Sequence, residues 1–370
     1  MKFAEIIGQE DAKKTLLQLV ANDRIPHAQI FWGSKGSGKL ALAMAFAQYV
    51  LCQNKQTEDS CGRCISCIKV NKFIHPDVHY SYPTIGSKVI STHFFKEWKA
   101  AIEENSYQNV NQWLSKLGAA GKQGNINKDE CLSIIKKLSL KTFEGKYKVL
   151  IMWLPEYLGK EGNRLLKLIE EPPENTLFLL VAENMDLILN TILSRCQVLK
   201  INTLSDEAII ETLISKHQLT QEKAVNIARL ANGNYNEAMR LITDLENDNA
   251  TLFLEWFRIC YKGNGEEMVN WVNKKAIKLG REGQKQLLSY ALHFLREFLI
   301  LKMTNNEDNL RLQEKEAKTA INMTKILGFE QVNKMMELFN DVYFYVERNA
   351  NGKILFLDTS IQLHKIFRKK

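Results

Sequence analysis

The sequence predicts a parallel α/β sheet in its first part and an all-helical second part. Short apolar runs alternate with helical patterns up to about residue 203, the order that builds a parallel sheet. A glycine-rich turn joins the first of these runs to an apolar helix. From Ser205 onward the strand signals fade and the pattern is almost wholly helical.

The first strand is expected in Ala28 to Gly38, ending in its glycine-rich turn, with a helix over Lys39 to Leu51. Val149 to Leu154 and Leu177 to Ala182 are continuous apolar runs, as strands buried on both faces require. Leu158 to Ile169 between them has helical spacing and stops at Glu170-Glu171-Pro172-Pro173, because proline cannot continue a helix. Leu187 to Leu193 is also helical in pattern, which puts Arg195 at the end of an element, near the surface. Ser205-Asp206-Glu207-Ala208 is a helix start, with a capping hydroxyl and acids in the first turn. Later breaks fall at Asn232-Gly233-Asn234, Glu246 to Asn249, Gly263-Asn264-Gly265, Asn305-Asn306 and Asn349 to Gly352. Gly86 to Gly124, ending in Gly118 and Gly121-Lys122-Gln123-Gly124, reads as an insertion between two sheet elements. Its Trp98 and Trp113 are expected to form its small core rather than to stack on nucleic acid.

The 370 residues, 45% hydrophobic and 25% charged, suit a globular protein of two or three domains. Only six prolines and 19 glycines argue against a turn-rich all-β fold. No apolar run approaches the ~20 residues of a membrane helix, and MKFAEIIGQED lacks a signal peptide's apolar stretch, so a cytoplasmic location is expected. The net charge of +8 permits a partner as acidic as nucleic acid without requiring one. The basic C-terminal Phe367-Arg368-Lys369-Lys370 reads as a solvated tail.

Gly33-Ser34-Lys35-Gly36-Ser37-Gly38-Lys39 has the spacing of a phosphate-binding Walker A loop. Gly33, Gly36, Ser37 and Gly38 would turn backbone N–H groups onto phosphate, and Lys39 would reach the terminal phosphates. The hydroxyl residue that should follow the lysine and hold Mg²⁺ is instead Leu40, which has no oxygen to offer. The strand Val149 to Met152 then runs into Trp153-Leu154-Pro155, where a P-loop ATPase normally carries Asp-Glu. Glu156 follows the proline and lies beyond the strand end. With two metal-handling positions apolar, the chain is not expected to hydrolyse ATP. The loop either binds ATP weakly, without help from Mg²⁺, or only shapes the fold.

Four of the seven cysteines, Cys52, Cys61, Cys64 and Cys67, are spaced C-x8-C-x2-C-x2-C. Four thiolates fill a tetrahedral Zn²⁺ completely, so such a site is structural. An iron–sulfur cluster uses the same ligand count. Cys131, Cys196 and Cys260 are dispersed and read as small buried apolar residues.

Ile7-Gly8-Gln9, His27-Ala28, the glycine loop, the four cysteines, His75-Pro76-Asp77, Asn163, Leu165-Leu166-Lys167, Glu170-Glu171-Pro172-Pro173 and Ser194-Arg195-Cys196 follow one another in this order. Together they resemble the bacterial DNA polymerase III clamp-loader subunits, densely over the first 245 residues or so. The family's ATP-hydrolysing gamma/tau type carries Thr after the loop lysine, Asp-Glu on the second strand and an arginine in a Gly-Ser-x-Arg pattern. Leu40, Trp153-Leu154 and Asn236 in Gly233-Asn234-Tyr235-Asn236 stand there instead. The chain thus looks like the non-hydrolysing, delta-prime type; its length also suggests no room for a long C-terminal extension.

The resemblance implies an AAA+ module over residues 1–203, with a four-cysteine zinc module at 52–67 and the insertion at 86–124. A three-helix lid over 204–246 and a helical collar over 247–370 would follow. It further implies a ring of five with gamma/tau and delta subunits, part of the DNA polymerase III holoenzyme. That ring opens the sliding clamp and closes it on primed DNA, and Arg195, flanked by Ser194 and Cys196, would enter the neighbour's ATP site. Two other readings stand beside this one: a gamma/tau-type subunit that hydrolyses ATP, and a zinc-bearing nucleic-acid binding module working alone.

Overall fold

The structure is a computed structural model that describes residues 1–119, 122–243, 249–304, 310, 312, 314–324, 326–348 and 350–368. Gly121, Glu246, Asn305, Asn306, Asn349, Lys369 and Lys370, where turns, breaks and the tail are expected, lie outside the described residues. The chain divides into two compact units, Met1–Arg240 and Leu241–Lys370.

In the first unit, strands β1 (Ala28–Gly33), β2 (Val78–Ser81), β3 (Lys148–Trp153), β4 (Thr176–Ala182) and β5 (Gln197–Ile201) form one parallel sheet in the order β2-β3-β4-β1-β5. The three central strands are the apolar runs read from sequence. The edge strands β2 and β5 were not legible there. Each has a neighbour on one side only, and β5 is exposed at Gln197, Val198 and Lys200, so neither needs a continuous apolar run.

Helices α1 (Glu10–Ala21), α2 (Lys39–Leu51), α3 (Ile65–Asn71), α4 (Phe95–Glu104), α5 (Val110–Lys116), α6 (Lys128–Leu138), α7 (Leu166–Glu170) and α8 (Asn190–Leu193) accompany the sheet. On one face Ile30, Leu150, Met152, Phe178 and Leu180 pack with Ile134 and Leu138 of α6. On the other, Phe31 meets Phe46 of α2, whose 13 residues are all buried. That burial explains why α2 is apolar all round.

The single helix expected over Leu158 to Ile169 is instead a 3-10 run, Pro155–Leu165, broken at Gly159 and followed by the short α7. Gly159 takes φ 48 and ψ −135, a conformation no helix accommodates. The run Leu187 to Leu193 likewise splits into a 3-10 turn, Met185–Leu187, and the four-residue α8, with Ile188 extended between them. Ser205 caps α9 (Asp206–His217), its Oγ accepting from the Ala208 N–H at 3.2 Å. Helices α10 (Gln221–Ala231) and α11 (Tyr235–Thr243) come next.

The second unit holds α12 (Asn249–Lys262), α13 (Gly265–Trp271), α14 (Gly280–Thr304), α15 (Glu314–Thr324), α16 (Phe329–Glu347) and α17 (Gly352–Arg368). Trp256 stacks on Trp271 at 5.2 Å and packs on Phe339 and Phe356, an aromatic core to which α12, α13, α16 and α17 each give one ring. A π-turn, Val272–Ala276, continues α13, which the sequence did not announce. Among the described residues no helix is long and apolar enough to cross a membrane.

The insertion carries α4 and α5 and is closed at its base by an antiparallel bridge between Thr84 and Asn125. Trp98 and Trp113 are buried, as expected, but their cluster extends beyond the insertion. Trp98 stacks on Tyr82 at 4.1 Å and meets Trp153, the last residue of β3, at 5.2 Å. Trp113 stands edge-on to Tyr82 and Trp98, and its Nε1–H donates to the Pro83 carbonyl at 2.7 Å. Trp153→Ala should therefore lower the unfolding free energy by about 3–5 kcal/mol in urea melts, and Trp153→Phe by less. A loss under about 1 kcal/mol would mean that the cluster contributes little to stability.

Candidate functional site

The glycine loop lies between the end of β1 and the start of α2. Gly36 and Gly38 take φ of +68° and +85°, so the loop needs glycine there for its backbone alone. Both also lie under close neighbours. A Cβ on Gly36 would fall 1.7 Å from Asn234 Oδ1, and one on Gly38 would fall 2.7 Å from the Tyr107 ring. The Tyr235 N–H donates to the Gly36 carbonyl at 3.2 Å, and Tyr107 Oη accepts from the Ile7 N–H at 3.0 Å. Gln9 Nε2 donates to the carbonyls of Ser37, at 3.0 Å, and Asn202, at 2.7 Å. The loop is thus covered by the N-terminal segment, the insertion and the turn before α11.

Lys39 is buried. Its ammonium donates to the Ser34 carbonyl at 2.9 Å and pairs with Glu183 Oε1 at 3.1 Å. Burial pushes its pKa below the ordinary lysine value, against the opposing pull of the Glu183 carboxylate. Glu183 directly follows β4 and supplies the negative charge that a phosphate would bring. Leu40 is 3% exposed, a core residue of α2. At the end of β3, Trp153 and Leu154 are both buried. Glu156 Oε1 accepts from the N–H groups of Glu183 and Asn184, while Oε2 is buried with no hydrogen-bond partner among the described residues. Burial, with Glu183 close by, raises the Glu156 carboxyl above the usual carboxylate range. Tyr107, Asn234, Glu156 and Glu183 therefore complete a site that Lys39 and the glycines only begin. Glu183 lies 144 residues from Lys39 in the chain, and no motif spacing links them.

Asn236, at the position where the lid pattern would carry arginine, accepts from Asn105 Nδ2 of the insertion at 2.7 Å. It is buried and offers no charge to a phosphate.

Cys52, Cys61, Cys64 and Cys67 converge, with all four sulfurs within 4.8 Å of one another. Cys52 Sγ is 3.6 Å from Cys61 Sγ, which is 4.0 Å from Cys67 Sγ. These distances exclude disulfides. They match the spacing of about 3.8 Å between sulfurs that each sit ~2.3 Å from one tetrahedral zinc. The N–H groups of Cys61, Cys64 and Cys67 donate to the sulfurs of Cys52, Cys61 and Cys64 at 3.3, 3.3 and 3.4 Å, support suited to thiolates. The Arg63 N–H beside its sulfur helps hold the Cys61 thiol down to about 6, whereas burial pushes Cys67 up. The four-cysteine cluster could therefore hold a metal ion. The rest of the loop is polar and is tied down by Asp59, whose carboxylate accepts the N–H groups of Phe3 and Ala4, both at 3.0 Å. Cys131 and Cys260 are buried and Cys196 half-buried, all apart from this cluster.

Arg195 follows α8 with its side chain 34% exposed. Its NH1 donates to the Thr191 carbonyl at 2.7 Å and to Ser194 Oγ at 3.1 Å, and its NH2 pairs with Glu170 at the end of α7. In the single chain the guanidinium is therefore engaged within its own unit.

The family model described as "DNA polymerase III, delta subunit" matches residues 8–205, just over half of the chain. The Bacillus subtilis DNA polymerase III subunit delta' is 28% identical over 240 residues, which are 65% of this chain and 60% of that protein. The gamma subunit of Buchnera aphidicola is 27% identical over 246 residues, 65% of this chain and 57% of that one. The B. subtilis tau subunit is 22% identical over 378 residues, 96% of this chain and 60% of its own length. The chain thus spans about 60% of the length of these curated relatives. A solved gamma subunit-related protein of Thermotoga maritima is similar at a TM-score of 0.41 and 14% identity, over 97% of this chain and 100% of that one.

Cys64→Ser should open the four-sulfur cluster and lower Tm by roughly 5–10 °C in thermal melts, at about 2–4 °C per kcal/mol for a domain of this size. The far-UV circular dichroism of the sheet and helices should survive. An unchanged Tm would mean that the sulfurs do not staple the loop.

Proposed function

The chain belongs to this DNA polymerase III clamp-loader subunit family, and we propose that within it the chain is a non-hydrolysing, delta-prime-type subunit. It would join gamma/tau and delta subunits in a hetero-pentamer that loads the sliding clamp onto primed DNA. Residues 1–203 would be its AAA+ module, 204–246 the lid and 247–370 the collar that closes the ring. The observation that carries this reading is the fate of the metal-handling positions. Leu40 and Trp153 are both built into the hydrophobic core, and a Mg²⁺–phosphate unit finds no ligand on either.

The residues of this chain would do three things. Lys39, held by Glu183, keeps the glycine loop in shape; a phosphate entering there would have to displace that carboxylate and meet Glu156 as well. Cys52, Cys61, Cys64 and Cys67 would hold one Zn²⁺, which supplies a closed, structural cross-link and no chemistry. Arg195 would reach the γ-phosphate held by a neighbouring subunit. A guanidinium suits that role because its planar fork meets phosphate oxygens in pairs and keeps its charge at neutral pH.

Near-equal identity to delta' and gamma relatives favours keeping the ATP-hydrolysing gamma/tau type as the second reading. A turnover assay on the purified chain separates the two. No hydrolysis above background is expected, and none in Leu40→Thr, because Trp153 and Leu154 would still leave the transition-state charge uncompensated. Turnover that disappears in Lys39→Ala would overturn the proposal. In the assembled complex, Arg195→Ala should leave the ring intact yet slow DNA-stimulated hydrolysis and clamp loading. The drop should stay below the ~10³ to 10⁵ known for single-site GTPases, since only one of several ATP sites is touched. Arg195→Lys should restore little. Elemental analysis should find one zinc per chain; less than about half an equivalent, or iron with sulfide in its place, would refute the zinc assignment.

A further inference from the structure

The pairing of Arg195 with Glu170 bears on how such a finger is kept out of use. Each nitrogen at the end of the guanidinium is already committed: NH2 to the Glu170 carboxylate, NH1 to the Thr191 carbonyl at 2.7 Å and Ser194 Oγ at 3.1 Å. A guanidinium in that arrangement has both hydrogens of NH1 and the charge of NH2 engaged within its own unit. Yet the Arg195 and Glu170 side chains are 34% and 42% exposed. Charge pairs exposed to that degree are only slightly favourable, so this contact is readily exchanged for a better one. A phosphate is such a partner, with more charge than a carboxylate and oxygens placed for the same fork.

We propose that Glu170 is a positioning residue, the resident counter-ion that parks Arg195 against its own unit until a neighbour's phosphate takes its place. This rests on the finger reading of Arg195. The acid holds the guanidinium in one geometry, with Thr191 and Ser194 fixing its orientation, and the exchange of carboxylate for phosphate turns the finger on. Glu170 lies at the end of α7 and Arg195 just after α8, so the pair bridges two short elements.

The test is ATP hydrolysis by the complete clamp loader assembled with this chain, measured with and without primed DNA. Glu170→Gln keeps the side chain's shape but removes its charge. It should raise the DNA-free rate roughly two- to fivefold, the range set by an exposed charge pair, and so shrink the stimulation by DNA. Glu170→Asp should return the DNA-free rate to near the wild-type value. In an Arg195→Ala background, Glu170→Gln should add nothing, because the two residues then act as one unit. A merely structural ion pair would shift Tm and leave the DNA-free rate alone. An unchanged or lowered DNA-free rate in Glu170→Gln, or the same increase in the absence of Arg195, overturns the parking role while leaving the finger intact. If Arg195→Ala by itself hydrolyses ATP and loads clamps at the wild-type rate, the finger fails and the parking role falls with it.

Discussion

The aromatic contact at the end of β3 decides the character of the whole glycine-loop region. Trp153 is the last residue of a buried central strand and packs on Trp98, which in turn stacks on Tyr82. This contact docks the inserted segment onto the sheet. Once docked, the insertion delivers Tyr107 onto Gly38 and Asn105 onto Asn236. The aromatic residue at the strand end and the covering of the loop are therefore parts of one packing arrangement. A carboxylate at position 153 would have to ionise among indole rings, and its desolvation would undo the docking.

Electrostatics at the loop follow from the same packing. Lys39 is too buried to remain charged without a partner, and Glu183 at the end of β4 provides one. Glu156 stands beside this pair, and burial raises its carboxyl, helped by the Glu183 charge and opposed by the two backbone N–H groups that one of its oxygens accepts; the other oxygen has no partner among the described residues. Two acids therefore flank this one lysine, and a polyphosphate entering the loop would meet their charge. The glycines nevertheless cannot be replaced freely, since Gly36 and Gly38 are fixed by left-handed backbone and by the side chains above them. Packing alone is therefore enough to hold the loop's motif in place, whether or not it takes a ligand.

How much of this was legible in the sequence follows from where each signal is stored. The three central strands and α2 were legible because burial on every side forces continuous apolar runs. The convergence of the four cysteines was legible because their spacing is local. Strand β5 was not, since a half-exposed strand tolerates polar residues such as Lys200, and neither was β2, whose four residues include His79 and Ser81 and make no apolar run. The helix expected over Leu158 to Ile169 failed at Gly159, whose backbone angles override an apolar periodicity that looked continuous. Glu183 and Tyr107 were hidden for a different reason: they reach the loop from distant parts of the chain, through contacts that only the folded sheet and insertion create.

The motif His75-Pro76-Asp77 shows how local chemistry can mislead without its hydrogen bonds. Ser66 Oγ lies 2.9 Å from His75 Nε2, and Asp77 is two residues on, so the trio has the residue types of a nucleophile, a base and an acid. The geometry refuses that role. His75 Nδ1 accepts from the Asp77 N–H at 3.2 Å, which assigns the ring proton to Nε2. The imidazole then donates to Ser66 and cannot take its proton. The Asp77 carboxylate instead accepts the N–H groups of Phe143, Glu144 and Gly145, at 2.6, 2.9 and 2.7 Å. Although burial works against it, these three donors hold the carboxyl below the usual carboxylate range. Glu144, fixed in this way, pairs with Lys69 of α3, the helix that begins directly after Cys64. The trio therefore belongs to the cysteine module's attachment to the sheet: His75 positions Ser66, and Asp77 positions the loop that grips Lys69.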